Sequence, residues 1–208
     1  HYGLGYLQLL ERPLEAKHLD RAEVHIRRAI GLNPQSPFGH MSLGWIHEMR
    51  ERYLGQTYRG WLEEAILLYD RAHNLNDGEA YPQTRADLLI NLCNAFANMG
   101  NGWKQAQGFC RKRWKMKMPF ITRAREALFH LTFGRAATAM GDAKAATRHL
   151  ELALDLSRLL KKKDLEAEVL TRVALTAHLT GDHARSNRYF ARAAKHYAAG
   201  GQEERLAG

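Results

Sequence analysis

The sequence predicts an all-α protein built from about five antiparallel helical hairpins. Two observations carry that prediction: a motif that recurs at nearly constant spacing, and an alternation of small and large residues inside it at helical offsets. Residues 140–157 read MGDAKAATRHLELALDLS, and residues 180–197 read TGDHARSNRYFARAAKHY. The small residue that opens each such segment is Ala22, Ala65, Ala106, Ala146 or Ser186, at intervals of 43, 41, 40 and 40. Four positions on stand Ile26, Tyr69, Cys110, Leu150 and Phe190; three further on stand Ala29, Ala72, Arg113, Ala153 and Ala193; another three on stand Leu32, Leu75, Met116, Leu156 and His196. These offsets fall on one face of an α-helix. Small residues let a neighbouring helix approach, and the large one fills the gap that remains.

Taken in order, the first repeat (1–34) carries its second helix around Ala22, after the extra stretch ERPLEAKH (11–18), and closes at Asn33-Pro34. In the second (35–78), FGHMSLGWIHEM supplies the first helix, RERYLGQTYRGW (50–61) is inserted, and Ala65 begins the second helical register. The third (79–118) pairs DLLINLCNAFANMG with a helix around Ala106, where Arg113 stands in a small-residue slot and predicts looser packing. ALFHLTFGRAATAMG opens the fourth (119–161) and VLTRVALTAHLTG the fifth (162–199), with 200–208 as a tail. Three of the first helices end in Gly100, Gly141 and Gly181, where a left-handed cap suits glycine. Asp142 and Asp182 follow at the position of an N-cap or first-turn acid.

Composition agrees with a globular chain: 45% of the 208 residues are hydrophobic and 25% charged, which excludes wholesale disorder. Nothing approaches the roughly 20 apolar residues a bilayer requires, so no membrane insertion is expected. Cys93 and Cys110 are too few for a disulfide scaffold and are expected as a reduced, buried pair; a cytoplasmic setting follows from that expectation. The charge of +9 is concentrated: residues 101–163 hold 15 Lys and Arg against 4 Asp and Glu, a surplus of 11, and the rest sums to −2. Acidic partners therefore belong near that region.

These residues resemble the tetratricopeptide repeat (TPR) family over essentially the whole chain. Leu43-Gly44 and Phe133-Gly134 match its first-helix pair, Phe96 an aromatic three residues on, and Tyr69, Phe190, the Ala ladder and Asn33-Pro34 its second helix. Family units are about 34 residues, so this chain is a long-repeat variant of about 40. The resemblance implies one continuous right-handed solenoid whose first helices line a concave, ligand-binding groove. Carried onto this sequence, the groove positions include Met41, Trp45, Glu48 and Met49; Asn94 and Asn98; Leu131, Arg135 and Thr138; and Thr171, Leu175, His178 and Leu179. Asn94 and Asn98, one turn apart, read as a fork onto a peptide backbone, and Arg135 as a grip on a carboxylate.

Other stretches carry competing readings. WKQAQGFCRKRWKMKM (103–118) mixes Lys104, Arg111, Lys112, Arg113, Lys115 and Lys117 with three aromatics, which suits nucleic acid or an acidic partner; as an ordinary second helix, its aromatics belong to the core. Tyr53, Tyr58 and Trp61 of the insertion read either as a self-packed loop or as anchors for a partner. HEMRE (47–51) fails as a metalloprotease motif for want of a second His, and no catalytic residue, metal site or cofactor is expected. The sequence therefore points to a non-catalytic scaffold or adaptor for a protein or peptide. The alternatives are the sensor or regulatory arm of a larger multidomain protein, since the chain begins at His1 and is expected to be a fragment or processed form, and nucleic-acid binding through the basic helix.

Overall fold

A computed structural model describes residues 16–54, 60–76 and 80–207, without the side chains of 52–54 and 200–207. Among the described residues there are nine α-helices and no strand: α1 (Ala16–Leu32), α2 (Pro37–Leu54), α3 (Gly60–Leu75), α4 (Pro82–Asn98), α5 (Trp103–Lys115), α6 (Arg123–Ala139), α7 (Ala143–Leu159), α8 (Lys163–Leu179) and α9 (His183–Ala207). Two compact units result, one of His1–Gly102 with Arg111–Met118, the other of Trp103–Cys110 with Pro119–Gly208. Within the first, α1 packs on α2, α2 on α3 and α3 on α4; within the second, α6 packs on α7, α7 on α8 and α8 on α9. The all-α repeat of helical hairpins is thus as the sequence predicts.

The aligned register supplies the core. Ala22, Ala65, Ala106, Ala146 and Ser186 are all buried, and so are Ile26, Tyr69, Cys110 and Leu150 four positions on. The reason for the first-helix glycine is steric. A Cβ at Gly44 would lie 2.7 Å from the Tyr69 ring, and one at Gly134 would lie 2.5 Å from Leu150 Cγ. The small residue of one helix is therefore the seat of the large residue of its partner.

The repeated Gly-Asp closes one helix and opens the next. Gly141 and Gly181 adopt φ of 72° and 81°, a conformation that costs a residue with a Cβ. With the chain so turned, Asp142 N donates to Ala137 O and Asp182 N to Ala177 O, each at 2.9 Å. Each aspartate then accepts a backbone N–H from the new helix, Asp142 from Ala145 at 3.1 Å and Asp182 from Arg185 at 2.9 Å. After α7 the same turn is made by Lys161, at φ 55°, with Lys162 N donating to Ser157 O.

Four expectations change. The outermost register position fails at Leu32, which is exposed, and Phe190 is partly exposed as well. Arg113 does not loosen its surroundings: it is 1% exposed, and its Nη2 donates to Met118 O at 3.1 Å, so a long side chain fills the slot and ends on a carbonyl. Cys93 and Cys110 are disulfide-bonded, not reduced. Trp61 belongs to the first turn of α3 and not to a loop; the side chain of Tyr53 and all of Tyr58 lie outside the described residues.

Candidate functional site

The first helices of the second unit, α6 and α8, touch each other as well as their hairpin partners. Thr138 Oγ1 lies 2.9 Å from Gly134 O, Thr176 Oγ1 lies 2.9 Å from Arg172 O, and the two hydroxyl oxygens lie 2.8 Å apart. With one proton each, one hydroxyl donates to the carbonyl of its own helix and the other donates across to it, which joins the helices. On this face Leu128, Leu175 and Leu179 are exposed, and Arg135 and Arg172 are half-buried. The Arg135 guanidinium lies over the Trp103 ring, 5.8 Å from its centroid, where stacking restricts its motion and leaves it a flat, oriented cation.

The expected groove residues separate by position. The place just after the small site stays accessible, as Arg135 and Leu175, and so does the place five after it, as Ala139 and Leu179. At the place three before it, Leu131 is in the core of the unit, in one cluster with Leu150, Leu154, Val169 and Leu170. Thr171 is half-buried and donates to Ala167 O; His178 is exposed, its ring 5.0 Å from that of His183. Sequence reasoning did not place Thr176 or Trp103 on this face. Trp103 stands 32 residues before Arg135, a separation with no local periodicity to reveal it.

In the first unit, the groove reading fails at Glu48. It is buried and accepts a 2.9 Å hydrogen bond from the Tyr69 hydroxyl, so it satisfies a buried phenol instead of meeting a ligand. Met49 is also buried, and Trp45 packs on the cluster of Leu19, Ile26, Leu43 and Ile46. Met41, Asn94 and Asn98 are half-buried. Asn98 borders a cavity of about 410 Å³ with Glu51, Leu62, Glu63 and Asn101, an environment of acceptor oxygens unlike the cationic face of α6 and α8.

Trp61, read from the sequence either as a self-packing aromatic or as a partner anchor, makes internal contacts. Its ring meets His47 edge-on at 4.8 Å, and Arg50 lies over it at 4.9 Å. Behind it His47 Nδ1 is 3.0 Å from Glu64, and Arg50 is 2.7 Å from Glu23. The nearby His47, its Nε2 3.9 Å from Glu23 Oε1, outweighs burial together with Arg27 and Arg50 and lowers the Glu23 pKa from 4.5 to about 2. This network joins α1, α2 and α3. His40, the other histidine of α2, is buried with Nε2 2.9 Å from Pro34 O.

On the basic stretch, Arg111, Lys112, Lys115 and Lys117 are exposed, as is Lys104 in the other unit, whereas buried Arg113 adds nothing to the surface charge. Trp103, Phe109 and Trp114 are half-buried. Among the described residues no group of three His, Cys, Asp or Glu is placed to hold a metal ion, and no helix is long and apolar enough to cross a membrane.

No family model matches the chain, and no curated protein does. Among solved structures, the crystal structure of MamA matches with a TM-score of 0.62 and 14% identity, over 89% of this chain and 92% of MamA. At that identity the likeness is one of fold, and the fold is TPR-like.

Proposed function

We propose that this chain is a non-catalytic interaction scaffold, a single TPR-like array that holds a segment of a partner protein against its first helices. The observation that carries the reading is the α6–α8 face. There, exposed Leu128, Leu175 and Leu179 lie on the same two helices as the oriented Arg135, and those helices are joined at Thr138 and Thr176. Apolar side chains that remain accessible beside a stacked arginine suit a peptide with one or two apolar anchors and a carboxylate. Because the helices are held by their own hairpins, little ordering entropy opposes binding. The partner is a protein or peptide, with acidic groups favoured by Arg135.

The test is affinity capture of the full chain from its native extract, with and without nuclease, beside two variants. A protein partner retained through nuclease treatment and lost on Arg135→Ala with Leu175→Asp supports the reading. Recovery of nucleic acid, abolished when Lys112, Lys115 and Lys117 become Glu, overturns it in favour of the basic helix. Binding untouched by the first variant assigns the partner to another surface.

A further inference from the structure

The Thr138–Thr176 contact fixes where the arginines of the α6–α8 face stand. Each of the two helices opens a hairpin, so they run in the same direction. Arg135 is three residues before Thr138, and Arg172 is four before Thr176. Their stems therefore lie about 4.5 and 6 Å before the contact, nearly level with each other. Three residues back turns a side chain by about 60° in one sense, and four back by about 40° in the other. Because the two threonines face each other, these opposite turns bring Arg135 and Arg172 to the same side of the seam. Gly134, four residues before Thr138, takes the other sense and faces Leu150 of α7. The arginines consequently stand on the side away from α7, where Leu175 is exposed.

The state of Arg172 calls for an acceptor. It is half-buried and makes no ion pair with a described residue, and its Nε, shielded from solvent, has no hydrogen-bond partner. A shielded donor left unmatched costs free energy that a bound anion would recover. Arg135, on the same side, is held over Trp103. The single proton of each threonine hydroxyl is used within the seam, so the threonines offer a ligand no donor and the guanidinium groups do. A planar carboxylate is satisfied by one guanidinium fork. A phosphoryl group carries close to two negative charges on three acceptor oxygens, enough for two forks. Glu168, one turn before Arg172, makes no ion pair with it. The two arginines outnumber that acid, so the local field still favours an anion, and a doubly charged one most.

We propose that Arg135 and Arg172 together hold the phosphoryl group of a phosphorylated partner segment, so that phosphorylation of the partner controls its binding. This rests on the α6–α8 face being the groove of the scaffold, and it adds a second cation and the chemistry of the residue recognised there.

The experiment probes an array of peptides with the full chain. The peptides are about 12 residues long, enough to cross both helices when extended. Each has varied flanks and is made with phosphothreonine, phosphotyrosine, glutamate or threonine at its centre. A phosphorylated form is expected to bind at least about tenfold more tightly than its glutamate and threonine forms. Arg172→Gln is expected to abolish that preference, Leu175→Asp to weaken all forms alike, and Glu168→Gln to tighten the phosphorylated form. Circular dichroism checks that each variant stays helical; where Arg172→Gln does not, Arg172→Lys replaces it, keeping the charge and removing the fork. Equal binding of all four forms, weakened by Leu175→Asp, overturns this proposal and leaves the groove reading standing. A phosphate preference that survives Arg172→Gln, or a short oligonucleotide bound more tightly than any peptide with the same arginine dependence, overturns it too. No binding by any peptide, with a native partner still lost on Arg135→Ala with Leu175→Asp, sinks this proposal alone.

Discussion

Acidification is expected to weaken the second unit through one pair of side chains. His130 of α6 and His149 of α7 are buried, with their Nδ1 atoms 2.9 Å apart, and the His149 ring stacks on those of His130 and Phe133. For these nitrogens to share a proton, one ring must donate and the other must keep its Nδ1 lone pair. Burial, followed by the neighbouring His130 and Arg148, lowers the His149 pKa from 6.5 to about 3; Asp142 opposes them. The unfolded chain takes up a proton here as pH falls through 6.5, and the folded chain does so only near 3. This contribution is therefore intact above pH 6.5 and declines between pH 6.5 and 3. Each pH unit in that window costs the folded state about 1.4 kcal/mol, so about 3 kcal/mol is lost by about pH 4.5. That is a large part of a stability on the order of 5–15 kcal/mol. The assay is urea unfolding followed by circular dichroism from about pH 7.5 to about pH 4.5, for the native chain and for His149→Phe. The variant is expected to start lower by about 1–3 kcal/mol, because His130 loses its partner. From there it is expected to lose about 3 kcal/mol less on acidification. Parallel curves for the two proteins would refute the reasoning.

Other expected outcomes concern the first unit and the turns. In the first unit, the lowered Glu23 pKa makes its contribution present above pH 4.5 and lost as pH falls toward 2; Glu23→Gln should therefore flatten the acid limb of the unfolding curve in that window and not above it. Lys161→Gly should stabilise the chain by up to about 1 kcal/mol, seen as a rise in Tm, because it removes a Cβ from a left-handed turn. Gly134→Ala should cost about 1–3 kcal/mol in urea unfolding through overlap with Leu150. Arg113→Ala should destabilise by more than about 2 kcal/mol, since it empties a buried site and leaves the Met118 carbonyl without that donor, whereas exposed Lys112→Ala should leave stability within about 0.5 kcal/mol.

Legibility in the sequence followed the range of the physics. The helices, their hairpin pairing and the Gly-Asp turns rest on offsets of a few residues, which the backbone period imposes locally, so the places of Ala146, Gly141 and Asp142 follow from residue order. The position just after the small site was legible for the same reason, and Arg135 and Leu175 remain accessible there. Glu48 was not, because its fate depends on the hydroxyl of Tyr69, brought to it by the neighbouring helix. Arg113 reads as a surface cation until the slot it fills and the carbonyl it reaches are known.

The all-helical repeat is written in residue order, since periodic burial of small and large side chains admits one kind of hairpin packing. Which polar residues face solvent and which cations are paired were settled in three dimensions. Those outcomes depend on what each side chain meets across a helix interface, and the partners lie tens of residues away at separations with no fixed period.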